Sequence, residues 1–388
     1  MNLRGRRVHI VGSADPTADE KKLGYVHSLL SELTKALAAE GTTFVIPFGK
    51  EPLQKDRLDG PSITFDWTVA EAVHGAYKDG LALPAGPNGR LVTTLATSKT
   101  DSHIPPARRT IYDQLRNGNC IGMEFLEPGW SAGAFVRSRL AQLGDVLIAV
   151  SGGQGVEQLA IEYSSKGKPV IPLDINVGSS SHDGSGGAVR LFDRARANPS
   201  DFFRVSESAS GADLLDRTQT RNGETEVSKV VTAVINLLNA LVPPRVFYVR
   251  LLNDAIPEYP SVENFFRDTA DPLVRELGYE PLQMGIGKND FVWMNQAIFD
   301  SLHHSSVALI DLTALRPNCF MELGYALGNK QRVIVTVRDD TRIPFDAFAV
   351  EAFQWKEAED LGKRLERLRT HWERNINMPT LVSPKEAK

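Results

Sequence analysis

Short apolar runs alternate with longer stretches of helical spacing along nearly the whole of this chain. That alternation limits the fold more than any single motif does. Runs too short to be helices, set between amphipathic helical segments, are the mark of βαβ units and a parallel sheet. Residues 7–11 (RVHIV), 43–47 (TFVIP), 91–95, 145–150 (DVLIAV) and 170–173 (VIPL) read as strands of a first half. Residues 245–251 (RVFYVRL), 307–311 and 332–337 (RVIVTV) read as strands of a second. Between residues 19 and 40, Leu23, Leu29, Leu30, Leu33 and Leu37 recur at helical spacing, and Gly41 is a fitting stop. The expected architecture is α/β, with two Rossmann-like domains, each a mostly parallel sheet flanked by helices.

A chain of 388 residues is long enough for two such domains. The composition shifts between residues 205 and 245, where polar sequence (SESASGADLLDRTQTRNGETE) leads into an amphipathic segment and then Pro243-Pro244. The expected division is a nucleotide-binding domain over 1–210, a linker with an amphipathic helix over 211–244, and a second domain over 245–388. That second domain closes on a helix with Leu361, Leu365 and Leu368 on one face. Residues 178–187 (GSSSHDGSGG) are too small and polar to fill a core and read as a mobile surface loop or a lid.

Composition excludes several function classes. A net charge of −4 lacks the basic footprint of nucleic-acid binding, so no nucleic-acid partner is expected. The two cysteines, Cys120 and Cys319, lie far apart, without metal-ligand spacing and without the numbers for a disulfide framework. No metal is expected. No apolar run has the length of a membrane span. The opening MNLRGRRVHIVGSAD runs straight into a strand rather than forming a signal peptide, so a cytoplasmic location is expected.

Two glycine turns stand out in the first half. Gly12-Ser13 follows the first strand, and Ser151-Gly152-Gly153-Gln154-Gly155 follows the run 145–150 and precedes a helical segment. Strand, glycines, then helix is the order that leaves backbone N–H groups free to hold phosphate and lets a ligand approach the main chain. Gly12, Ser13, Ser151, Gly152, Gly153 and Gly155 are therefore the candidate nucleotide cradle. The surrounding stretch, RSRLAQLGDVLIAVSGGQGVEQLA, resembles the SLOG superfamily, whose members include the LOG phosphoribohydrolases. Gly152, Gly153 and Gly155 match that family's GGxGTxxE loop, while Val156 stands at its Thr and Leu159 at its catalytic Glu. The resemblance, over about residues 5–205, implies a bound nucleotide without LOG-type hydrolysis, and implies that Arg137 or Arg139 meets a phosphate.

The second half carries the candidate catalyst. An apolar strand ends in Asp311, a turn follows, and a helical segment then presents Asn318 as its N-cap and Glu322 one turn on. Gly324 and Gly328, four residues apart, would let that helix pack closely on the sheet. Cleavage of an N-glycosidic bond passes through an oxocarbenium-like state, which a carboxylate beneath C1′ stabilises or captures. The segment DLTALRPNCFMELGYALGNKQRVIVTVRDDTRIPFD resembles the TIR-like branch of the nucleoside 2-deoxyribosyltransferase-related proteins, found in bacterial nucleotide-signalling and anti-phage systems. The resemblance covers about residues 245–355 and rests on Asp311, Asn318, Glu322-Leu323-Gly324-Tyr325-Ala326 and Pro344-Phe345-Asp346. It implies that Glu322 is the catalytic carboxylate, with Asp311 and Asn318 beside the substrate. Arg250 is a candidate for substrate phosphate, and Asp290 for a ribose.

The expected function is a nucleotide-regulated N-glycosidase acting on NAD+ or a related nucleotide in a bacterial stress or anti-phage response. NAD+ is the expected substrate, no cofactor is required, and self-association is expected. The alternatives are a non-catalytic nucleotide sensor, in which Glu322 only contacts a ribose, and a deoxyribosyltransferase of nucleoside salvage.

Overall fold

In the computed structural model the apolar runs form two separate parallel sheets. The structure describes residues 2–56, 60–84, 90–97, 99–126, 133–181, 184–206, 209–283, 294–329, 331–343 and 351–376. The chain divides into two compact units between Val242 and Pro243.

The first unit runs β1 (Arg7–Ser13), α1 (Glu20–Ala39), β2 (Thr43–Val45), α2 (Asp66–Lys78), β3 (Val92–Ala96), α3 (Thr100–His103), α4 (Arg109–Asn117), β4 (Ile121–Phe125), α5 (Gly133–Leu143), β5 (Val146–Ser151), α6 (Gln154–Ser164), β6 (Val170–Leu173), α7 (Gly187–Ala197), α8 (Gly211–Asp216) and α9 (Val227–Ala240). Its strands are ordered β4-β3-β2-β1-β5-β6, all parallel. Every residue of β5 is buried, as a central strand covered on both faces requires. At the start of α1 the Asp19 carboxylate accepts the Lys22 N–H at 2.8 Å, a cap of the kind that contributes ~1 kcal/mol.

The segment expected as a linker belongs to this unit. Val230, Val231, Val234, Leu237 and Leu238 of α9 are buried in the same core as the leucines of α1. A helix with that apolar face is stable only when packed, and the nearest uncovered face is its own unit's. The stretch 178–181 is also tied down rather than loose: Ser180 N–H donates to Ser13 Oγ at 3.1 Å, and Gly178 O accepts from Ser151 Oγ at 2.9 Å.

The second unit runs β7 (Arg245–Val249), α10 (Tyr259–Phe265), a π-turn (Phe266–Ala270), α11 (Asp271–Glu276), β8 (Glu280–Gln283), α12 (Met294–His303), β9 (Val307–Asp311), α13 (Pro317–Gly328), β10 (Arg332–Arg338), β11 (Ala352–Trp355) and α14 (Leu361–Asn375). Its five parallel strands are ordered β11-β10-β9-β7-β8. One face is covered by aromatic packing, with Phe265 stacked on Trp355 at 4.6 Å between ring centres. The other is covered by Leu302, Cys319, Leu323 and Ala326 from α12 and α13. Gly324 and Gly328 do not make that contact. Both are exposed, and a β-carbon on either would meet nothing within 4 Å, so Cys319, Leu323 and Ala326 form the packing face of α13 instead.

Among the described residues no helix is long and apolar enough to cross a membrane.

Candidate functional site

In an open parallel sheet, ligands bind outside the carboxyl ends of the strands where the strand order reverses. The second sheet reverses between β7 and β9, and its reversal point is bordered by the β9–α13 connection. Asp311 ends β9 fully buried, where its oxygens accept from Thr313 N (3.0 Å), Thr336 Oγ1 (2.8 Å) and Trp355 Nε1 (3.0 Å). Burial pushes its pKa up, and these bonds act against that push. The carboxylate thus ties β9 to β10 and β11, and it exposes no surface to a ligand. The helix then starts at Pro317 with Arg316 as its N-cap. Asn318 is exposed in the first turn rather than at the cap.

Glu322 follows one turn later. It is half-buried and makes no hydrogen bond or ion pair among the described residues. Desolvation pushes its pKa up to about 7. It shares a stripe of α13 with Tyr325 and Asn329, whose side chains both lie 3.3 Å from Nδ1 of His303 on α12. Phe299 packs on Tyr325 at 4.8 Å between ring centres, so the wall of this groove is apolar. Glu322 continues the stripe toward the carboxyl ends of the strands. An unpaired carboxyl of raised pKa beside a reversal point is the profile of a reacting group.

Arg250 is buried after β7, where its guanidinium pairs with Glu263 and lies 5.0 Å from the ring centre of Phe266. It meets a ligand only if that pair opens. Asp290 and the Pro344-Phe345-Asp346 turn lie outside the described residues. Cys319 is buried, and desolvation pushes its thiol up to about 12, which leaves it inert at neutral pH.

The first sheet reverses between β1 and β5, and the register pairs Gly12 with Val150 and Ser13 with Ser151. The two glycine turns therefore stand side by side at the reversal point. Gly12 is required there: a β-carbon would sit 1.8 Å from Val150 O. Gly152, at φ +70°, sends its N–H to Ser13 O and Gly178 O. Ser151 is buried, and its hydroxyl accepts from Val177 N at 2.9 Å while donating to Gly178 O, so it braces the turn from within. Among the described residues the N–H groups of Gly153 and Gln154, at the start of α6, have no acceptor. Gly155, in the first turn of α6, keeps the main chain there clear of side chain. A helix N-terminus of this kind favours an anion. Arg137 reaches Gln158 on α6, whereas Arg139 is buried in an ion pair with Glu124 at 2.6 Å. Leu159 is 2% exposed and belongs to the core.

One residue at this edge carries no motif. Asp66 opens α2, and burial pushes its pKa up to about 7. In the sequence it is an ordinary first-turn acid, and only its enclosure sets it apart.

The model of the family described as ATP nucleosidase Cap17-like, N-terminal, matches residues 3–238, which is the first unit almost entire. The chain belongs to this Cap17-like family. Among its relatives is the ATP nucleosidase Cap17 of Escherichia coli (strain KTE188), 22% identical over 347 residues, covering 86% of this chain and 66% of that protein. A second Escherichia coli ATP nucleosidase Cap17 matches to the same extent. The chain thus spans just under two thirds of the length of these curated relatives, and a match of that extent reaches past the first unit into the second. Among solved structures, a UDP-N-acetylglucosamine 2-epimerase (9% identity, 97% of this chain and 92% of that one, TM-score 0.22) aligns end to end. So does a glycoside hydrolase family 3 β-N-acetylglucosaminidase from Paenibacillus sp. str. FPU-7 (12% identity, 99% and 98%, TM-score 0.22). Neither likeness bears on the site.

Proposed function

We propose that the chain is a nucleotide N-glycosidase in which Glu322 acts at the ribosyl C1′ and the first unit holds a nucleotide that controls it. One observation carries the reading: Glu322 is a half-buried carboxyl without a partner among the described residues, its pKa pushed to about 7, beside the reversal point of a parallel sheet. The Cap17-like family and the names of its Escherichia coli relatives support nucleosidase chemistry and make ATP the first substrate to test beside NAD+. The resemblances to SLOG and TIR-like proteins support a sensor joined to an effector in a stress or anti-phage response, with self-association as part of its action.

The chemistry follows from the carboxylate. The C1′–N bond breaks with its electron pair leaving on the base, and Glu322 in its ionised form offsets the positive charge that develops at C1′ and O4′. Water then adds at C1′ and gives its proton to the carboxylate. From NAD+ the products are nicotinamide and ADP-ribose; from ATP they are adenine and ribose 5′-triphosphate. Nicotinamide is already cationic when bonded and leaves neutral, whereas adenine takes up a proton as it leaves.

The experiment is chromatography of ATP and of NAD+ incubated with the full chain and with Glu322→Gln, with and without cyclic nucleotides and ADP-ribose derivatives. Base released by the wild type and not by Glu322→Gln supports the proposal. Nucleotide bound but never cleaved under any condition would make the chain a sensor. Base exchange on free nucleosides with ATP and NAD+ untouched would make it a salvage transferase.

A further inference from the structure

Around the carboxyl ends of the first unit's strands the acids are nearly all engaged. Glu51 pairs with Arg108 at 2.8 Å, Glu124 with Arg139 at 2.6 Å, and Glu157 with Arg190 at 2.7 Å. Asp174 accepts the N–H groups of Thr220 and Arg221, and Asp15 accepts the N–H and the hydroxyl of Thr17. Asp66 is different. Among the described residues its carboxyl has no partner beyond its own backbone N–H, and no cation offsets its desolvation.

Its helix aims it. Val69, Ala70, Val73 and Ala76 form the buried face of α2, and Asp66, three and four residues before the first two, heads that same stripe. The start of α2 is pinned on both sides. Thr64 bridges to Ser13 at the end of β1, and Trp67 Nε1 donates to Gly49 O beyond β2 at 3.0 Å. The start of α2, and Asp66 with it, therefore lies beside the ends of β1 and β2. Asp66 is partly buried and retains accessible surface.

The opposite wall is the start of α6 with its two unengaged N–H groups. Right-handed crossovers running in opposite directions from the reversal point put α2 and α6 on opposite faces of the sheet. Ser13 joins the two walls at the reversal point: it bridges to Thr64, two residues before Asp66, and its carbonyl accepts the N–H of Gly152, one residue before Gly153. In dinucleotide-binding sheets an acid on the β2 side takes the ribose hydroxyls. Here Glu51, the acid that follows β2, is held by Arg108, which leaves Asp66 for that part.

We propose that the crevice of the first unit takes a ribonucleotide, with phosphate on the N–H groups of Gly153 and Gln154 and the ribose hydroxyls donating to the carboxylate of Asp66. Asp66 then makes this crevice selective for ribose over deoxyribose. The inference rests on the reading of the first unit as a nucleotide cradle, and its test separates the two.

The test is calorimetry on the full chain carrying Glu322→Gln, so that ligand is not consumed, with ATP, 2′,3′-dideoxy-ATP and tripolyphosphate as probes. The parent should bind ATP about 10-fold or more tightly than dideoxy-ATP, the worth of hydrogen bonds to a charged group. Asp66→Ala should bind ATP only as tightly as dideoxy-ATP, with tripolyphosphate unchanged. Gln154→Pro removes one N–H donor at a helix position that tolerates proline, and should weaken all three ligands, which assigns the binding to this crevice. An Asp66→Ala protein that still prefers ATP by the parent's ratio would overturn the role of Asp66 and leave the cradle standing. ATP binding that Gln154→Pro leaves intact would overturn the cradle itself, and so would a parent that binds none of the three. Asp66→Asn serves as the second variant should Asp66→Ala lose its thermal transition; its amide oxygen still accepts, so part of the preference should remain.

Discussion

The backbone of Gly12 runs so close to Val150 that a side chain of even one carbon at Gly12 would overlap the Val150 carbonyl oxygen at 1.8 Å. The oxygen belongs to β5, paired in register with β1, and cannot withdraw without opening the middle of the sheet. Gly12→Ala is therefore expected to destabilise the first unit by roughly 2 kcal/mol or more, the scale of overpacking in a close-packed interior. Thermal unfolding of the variant checks this, and a Tm equal to that of the wild type would count against the register at the reversal point.

Glu322→Gln keeps the shape of the side chain and removes its charge. If the carboxylate works at C1′, base release should fall by at least about 100-fold, since removal of an electrostatic stabiliser in an enclosed site costs that much or more. KM should change little. A variant with more than a tenth of wild-type turnover would exclude Glu322 as the catalytic group.

The pH dependence has a definite sign. Glu322 titrates near 7, so NAD+ cleavage that depends on the ionised form should rise with pH through about 7 and level off above it. ATP cleavage should show in addition a fall at higher pH, because adenine needs a proton that nicotinamide does not. Two NAD+ profiles, one for the wild type and one for Glu322→Asp, would show whether the rising limb belongs to this carboxyl.

Stability should respond in the opposite sense. Asp66 and Glu322 both have folded-state pKa values raised to about 7, from 3.8 and 4.5. Their contribution to stability is present in full below those unfolded values and is lost as pH rises through about 7. The double variant Asp66→Asn/Glu322→Gln should therefore gain on the wild type between pH 5 and 8, by about 3 °C or more in Tm. Equal Tm values at pH 8 would mean that neither group is desolvated in the folded protein.

Asp311 binds three donors from three segments, two of them buried side chains. Asp311→Ala would leave Thr336 and Trp355 without an acceptor and should cost about 3 kcal/mol or more, at roughly 1–3 kcal/mol for each orphaned group. The loss would appear as early unfolding of the second unit, followed through tryptophan fluorescence. Asp311→Asn should recover part of it.

The central strands could be read from the chain because residues buried on both faces must be apolar throughout: 145–150 and 307–311 are such runs, and both are central strands. The edge strands gave no such sign. Glu280–Gln283 contains one apolar residue beside a proline, and Ile121–Phe125 is half-exposed with Gly122 and Glu124 within it. The glycine turns were visible because their sequence order is also their geometry. What they do not show is that Ser151 is buried and braces the turn, since a serine in a loop reads the same whether it faces a ligand or its own backbone. Arg250 and Arg139 illustrate the same limit. Each is a cation near a strand end in the sequence, and each proves to be bound by a glutamate, 13 and 15 residues away. Asp66 carries no signal in the sequence because an acid in the first turn of a helix is ordinary, and only packing reveals that no cation among the described residues answers it.

Ser151 holds a left-handed backbone at φ +54°, a conformation that costs a residue with a side chain, and its hydroxyl closes a loop through Val177 and Gly178. The end of β5 and the segment after β6 are thereby set as one piece before any ligand arrives. The entropy of ordering that wall is spent when the chain folds rather than when a ligand docks. A ligand that docks beside this turn meets a wall already formed, so few of its contacts have to be spent on ordering the protein.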